Sequence, residues 1–106
     1  MTNSKRKGKR GELELAQFLR LHGYDDARRT NQYCGTEGTS DVVGLPGHHV
    51  EVKRTERLRL RAALDQAIGD SEGTGLIPIV AHRQNSTEWL ITLRAEDYLT
   101  TIKRRR

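Results

Sequence analysis

The stretch SDVVGLPGHHVEVKR, residues 40–54, constrains this chain more than any other. Two valine-rich runs, residues 41–45 and 48–54, flank Pro46 and Gly47, a pair that marks a turn. The pattern predicts two antiparallel strands joined as a hairpin. Side chains alternate across a strand, so Val50 and Val52 face one way and His49, Glu51 and Lys53 the other. Lys53 then stands about 6.6 Å along the same face from Glu51. Asp41 opens the partner strand and comes near both. Charges threaded through strands that look like core are costly unless they are paired or bind a cation. The plainer alternative is a solvated sheet face with a cross-strand ion pair.

The rest of the chain gives this hairpin its setting. A length of 106 residues suits one domain with one modest core. Apolar residues make up 34% and charged residues 31%, so a thin core under a charged surface is expected. Residues 1–8 hold almost no apolar side chain and read as a flexible basic arm, with a single domain over 9–106. Leu15, Ala16 and Leu19 recur at helical spacing, predicting a helix over 9–22 that stops at Gly23. A short strand is expected at 26–31 and a polar loop at 31–40. Leu60, Ala63, Leu64, Ala67 and Ile68 mark one face of a second helix, about 57–70. Strands at 76–82 and 88–93 and a closing helix at 94–102 complete the order αβββαββα. A helix between strands permits parallel pairing, so a mixed sheet flanked by helices is the expected fold.

Composition narrows the function. No apolar run approaches the ~18 residues that span a membrane, and the basic start lacks the apolar region of a signal peptide. Cys34 is the single cysteine, which excludes an internal disulfide or a multi-cysteine zinc site and predicts an intracellular, cytoplasmic protein. The formal charge of +5 is unevenly placed. Lys5, Arg6, Lys7, Lys9 and Arg10 crowd the start, KRRR closes the chain, and Arg28, Arg29, Arg54, Arg57, Arg59 and Arg61 lie between. Such a distribution fits nucleic acid or an anionic membrane surface, although basic tails alone are weak evidence. From this set Lys5, Arg6, Lys7, Lys9, Arg10, Arg29, Arg54 and Arg57, with Ser40, are the candidate DNA contacts.

Glu12 links the basic helix to the hairpin. It falls in the middle of the apolar stripe of Leu15, Ala16 and Leu19, whereas Glu14 and Gln17 take the polar side. A carboxylate on a core face needs a partner or a metal. If Glu12 faces Asp41 and Glu51, three carboxylates and Lys53 share one site, and crowding raises the pKa of at least one. Hard divalent cations take such oxygen ligands. Asp41, Glu51 and the Val52 carbonyl could hold Mg2+ or Mn2+. Lys53 could orient the nucleophile and offset charge on a phosphate. Relief of repulsion predicts that Glu12→Gln stabilises the metal-free protein. The competing reading has Glu12 in an exposed first helical turn.

With these residues in place, the chain resembles the PD-(D/E)XK nuclease superfamily, and within it the archaeal-type Holliday-junction resolvases and related phage nucleases. The resemblance rests on RKGKRGELELAQFLRLHGY (6–24), SDVVGL (40–45), HHVEVKRT (48–55) and LIPIVAHR (76–83), covering roughly 6–93. It implies a restriction-endonuclease-like α/β core. It assigns Asp41 and Glu51 as metal ligands, Lys53 as the catalytic lysine, and Glu12 as an additional ligand. Ser40 stands where the superfamily signature has proline. The resemblance further implies a magnesium-dependent endonuclease, a Holliday-junction resolvase, acting as a homodimer on four-way DNA. The rival readings are a phage or mobile-element nicking or repair nuclease, a non-catalytic DNA-binding module, and a ribosome-type RNA-binding protein. His48 and His49 follow a turn and are expected to be exposed. Gln66 lies off the apolar stripe of its helix, and Trp89 and Tyr98 read as core or interface aromatics.

Overall fold

The structure is a computed structural model that describes residues 2–30 and 40–104, with the backbone alone for 2–7. The loop expected at 31–40 therefore lies outside the described residues except for Ser40, and Cys34 lies outside them altogether. The elements are α1 (Thr2–Leu21), β1 (Arg28–Arg29), β2 (Val42–Val43), β3 (His48–Arg54), α2 (Leu60–Ser71), β4 (Ile77–Arg83), β5 (Leu90–Thr92) and α3 (Ala95–Arg104). The order is the expected one. Helix α1 reaches back to Thr2, through residues expected to form an arm. Lysine and arginine are good helix formers, and nothing before Gly8 interrupts the run. The helix ends as anticipated. Gly23 takes φ +97°, and the Gly23 and Tyr24 N–H groups donate to the carbonyls of Arg20 and Leu19.

The strands form a five-stranded mixed sheet in the order β1-β2-β3-β4-β5. The hairpin is antiparallel, with Val42 opposite Val50. Strand β4 returns parallel to β3 over seven residue pairs after the α2 crossover. Alternation along β3 then sorts the core into two layers. Val50 and Val52 join Leu15, Ala16 and Leu19 of α1 with Val42, Ile79 and Ala81. Val80, which points the other way, packs under Ala63, Leu64 and Ala67 of α2. Leu15 is 1% exposed, and burying a side chain of that size is worth about 1.5–3 kcal/mol.

Both buried faces leave β3 as the central strand, so its polar residues are enclosed as well. Helix α3 is different: none of its residues is buried. Tyr98, anticipated in the core or an interface, is exposed, while Trp89 packs at the margin of the α1 layer.

Candidate active site

The short ladder between β2 and β3 creates the site. Asp41 lies just before β2, where its N–H still donates to the Val50 carbonyl (2.8 Å). One step further along β3, the Val52 N–H meets no strand on that side among the described residues and donates instead to Asp41 Oδ2 (2.9 Å). The Asp41 carboxylate therefore sits in the fork where the two strands part. The Val52 carbonyl points the same way as its N–H, into that fork.

Glu51 faces the α2 side and is 4% exposed. Lys53 follows on the same face, its Nζ 3.7 Å from Glu51 Oε2 and more open to solvent. The Asp41 and Glu51 carboxyls are near enough for each to perturb the ionisation of the other. Burial, then the Asp41 charge, pushes Glu51 up to about 7 despite Lys53. Burial likewise raises Asp41, opposed by the Val52 N–H and by Lys53.

Glu12 is buried on the core side of α1, not in an exposed first turn. What lets it approach is Gly11. A Cβ at Gly11 would come within 2.6 Å of Arg54 Cβ, so glycine permits α1 to press against β3 there. Glu12 feels the charges of Asp41 and Lys53, and its carboxyl is raised by burial and by Asp41. Its direct partner is Arg29, whose Nε donates to Glu12 Oε1 at 2.6 Å. Glu12 thus borders the fork beside Asp41 with a counter-charge already in place.

Ser40 is buried, and its Oγ lies 3.1 Å from His49 Nδ1. The expectation of an exposed His49 is corrected: the side chain is 1% exposed, because β3 begins at His48 and turns His49 inward beside Glu51. Asp70, on the last turn of α2, was not anticipated. A ring nitrogen of His49 and carboxylate oxygens of Glu51 and Asp70 all lie within 4.8 Å of one another. The signal was available, since Asp70 lies seven residues after the buried Ala63 and three after Ala67, on the stripe that packs inward.

The candidate DNA contacts divide into three groups. Arg54 is drawn to Glu14 (3.1 Å) and Asn85 (2.7 Å), and Arg29 to Glu12, so both are engaged within the protein. Lys9, Arg10 and Arg57 are exposed. The side chains of Lys5, Arg6 and Lys7 fall outside the described residues. Arg57 lines a groove of about 240 Å³ that runs from Lys53 to Arg59 and Gln66.

A mixed sheet with helices on both faces, and acidic groups with a lysine gathered where two strands fork, defines the restriction-endonuclease-like class of α/β nucleases. Residues 3–106 match the family described as "Phage putative PDDEXK endonuclease", and the chain belongs to that family. A search of curated proteins gave no match. Among solved structures, the chain is similar to the Hjc Holliday junction resolvase of Archaeoglobus fulgidus. The TM-score is 0.53 with 19% identity, covering 76% of this chain and 73% of that one, a likeness of fold. Nucleases of this superfamily typically use divalent metals, and the oxygen donors of Asp41, Glu51 and Val52 suit a hard cation. Among the described residues, no helix is long and apolar enough to cross a membrane.

Proposed function

We propose that the chain is a magnesium-dependent endonuclease that cuts branched DNA, with four-way junctions as its preferred substrate. The observation that carries this reading is the fork, where the Asp41 carboxylate, the Val52 carbonyl, Glu51 and Lys53 converge. Asp41, Glu51 and the Val52 carbonyl would hold the cation, which when bound would lower the pKa of a water and offset charge on the scissile phosphate. Glu12, fixed by Arg29, accepts a hydrogen bond from water at the edge of the same site. Lys53 contacts the phosphate and stabilises charge as the phosphorus becomes five-coordinate. Arg57 and the basic face of α1 carry the flanking backbone. The test is cleavage of four-way, flap and linear duplex DNA with and without magnesium. Magnesium-dependent cutting of the junction in preference to the others is expected; metal-independent cutting, or none, would discard the reading.

Two cuts in two strands call for two sites, which a two-fold dimer supplies by symmetry. The surface that supports a dimer is apolar and exposed: Leu90 and Ile91 on edge strand β5, with Tyr98, Leu99 and Ile102 on α3. Tyr98, Leu99 and Ile102 fall on one face of α3 by helical spacing, and an exposed apolar face of this kind marks an interaction surface. Sedimentation at micromolar concentration is expected to give a dimer, and Leu99→Asp a folded monomer. A wild-type monomer, with and without DNA, would favour the second reading, a nicking or repair endonuclease. Membership of a phage endonuclease family, in which no junction preference is implied, is what keeps that reading in view.

A further inference from the structure

We propose that His49, Glu51 and Asp70 form a second cation position beneath the fork, suited to a first-row transition-metal dication such as Zn2+ rather than to Mg2+. It shares Glu51 with the nuclease site and stands on separate observations.

The first observation is convergence from two elements. His49 and Glu51 project from the same face of β3, and Asp70 comes down from α2, with one ligand atom of each inside a 4.8 Å circle. Ligands around a zinc ion with bonds of about 2.1 Å stand roughly 3.5 Å apart. Side-chain adjustments of about 1 Å close the gap.

The second observation is an orphaned atom. His49 Nε2 is fully buried and has no hydrogen-bond partner among the described residues. Leaving such an atom unmet is costly. Nδ1 faces Ser40 Oγ at 3.1 Å, and with Nδ1–H donating to that oxygen Nε2 is the nitrogen left with a free lone pair. Metal-bound imidazoles are typically held this way: one nitrogen carries the ion and the other donates to a fixed oxygen.

The third is electrostatic. Asp70 lies in the last turn of α2, where the helix dipole disfavours an anion, and no basic residue occupies that turn. A dication among His49, Glu51 and Asp70 compensates both carboxylates and the dipole. An imidazole with two carboxylates selects a metal of zinc type, because magnesium prefers oxygen ligands and retains its waters.

The experiment is calorimetric titration with Zn2+ under saturating Mg2+, using wild type, Asp70→Asn, His49→Gln and Asp41→Asn. Circular dichroism checks that each is folded. Wild type is expected to take up a Zn2+ ion per chain at this position. Asp70→Asn and His49→Gln each lower that affinity by about tenfold or more. Asp41→Asn leaves it within about threefold while abolishing cleavage, which separates this position from the nuclease one. Co2+ adds an independent readout: a paramagnetically shifted exchangeable imidazole proton, from His49 Nδ1–H, absent in His49→Gln. Equal Zn2+ affinity in wild type and Asp70→Asn overturns the proposal, even if His49→Gln fails to fold. Cleavage by Asp41→Asn at the wild-type rate would sink the nuclease assignment and leave this one intact.

Discussion

Asp41→Asn and Lys53→Ala are expected to lose DNA cleavage by about a hundredfold or more while binding DNA as well as the wild type. The geometry explains why both should remain folded. Asn at position 41 still offers an oxygen to the Val52 N–H, so the fork keeps its 2.9 Å hydrogen bond and loses only the charge. Lys53 is the more exposed member of its pair with Glu51 and lies outside the apolar cluster under α2, so truncation is expected to leave that layer folded. Removing the Asp41 charge also lessens repulsion of phosphate, which keeps affinity level or raises it. The checks are single-turnover cleavage of junction DNA with Mg2+ and fluorescence anisotropy with Ca2+. Near wild-type cutting by either variant would show that the chemistry lies elsewhere.

Glu51→Gln is expected to raise the melting temperature of the metal-free protein, and to do so more at pH 8 than at pH 5. Glu51 rises from 4.5 to about 7 on folding. Between those values the native state holds more protons than the unfolded one, so stability falls as pH rises through that window. A shift of this size corresponds to roughly 3 kcal/mol once pH passes 7. Asp41 is raised too and acts in the same direction. His49 is lowered by burial and acts in the opposite one, which is why the informative quantity is the difference between Glu51→Gln and wild type. That difference should grow by several degrees from pH 5 to pH 8 in a chelator. Added Mg2+ should narrow or reverse it, because the cation stabilises the wild type more. A difference independent of pH would mean that Glu51 is not the strained group. Glu12→Gln, which the sequence singled out for this role, is the weaker choice. Arg29 already offsets Glu12, and the substitution would leave a part-buried guanidinium without its counter-charge.

Much of this site was legible because charge in the wrong place is informative. Glu12 stood out on an apolar helical stripe, and Glu51 and Lys53 stood out between valines, since periodicity says which face a residue takes. The hairpin, the crossover and the parallel pair followed from turn residues and from the length of the α2 segment. What was not legible depends on pairing across the fold. Nothing local joins Arg29 to Glu12 or Arg54 to Glu14, because those partners meet only when α1 lies on the sheet. His49 was misjudged because proximity to a turn outweighed its register, although alternation had already put it beside Glu51. Asp70 lies on the inward stripe of α2, but its neighbours His49 and Glu51 come from β3, so nothing local in the sequence joins it to them. The reach of α1 back to Thr2 was missed because a run without apolar residues carries no periodicity to read.

The parallel seam between β3 and β4 governs when the protein can become a nuclease during its own synthesis. Glu12, Asp41, Glu51 and Lys53 all leave the ribosome before Ile77–Arg83, the segment that becomes β4. Until then β3 is tied to its hairpin partner by the Val42–Val50 pair, whereas β4 later supplies seven pairs. An isolated hairpin is marginal in water, and the like charges of Asp41 and Glu51 work against holding it together. A nascent chain therefore carries every candidate catalytic group without the scaffold that gathers them. The strand that completes the sheet around them contains none of these groups.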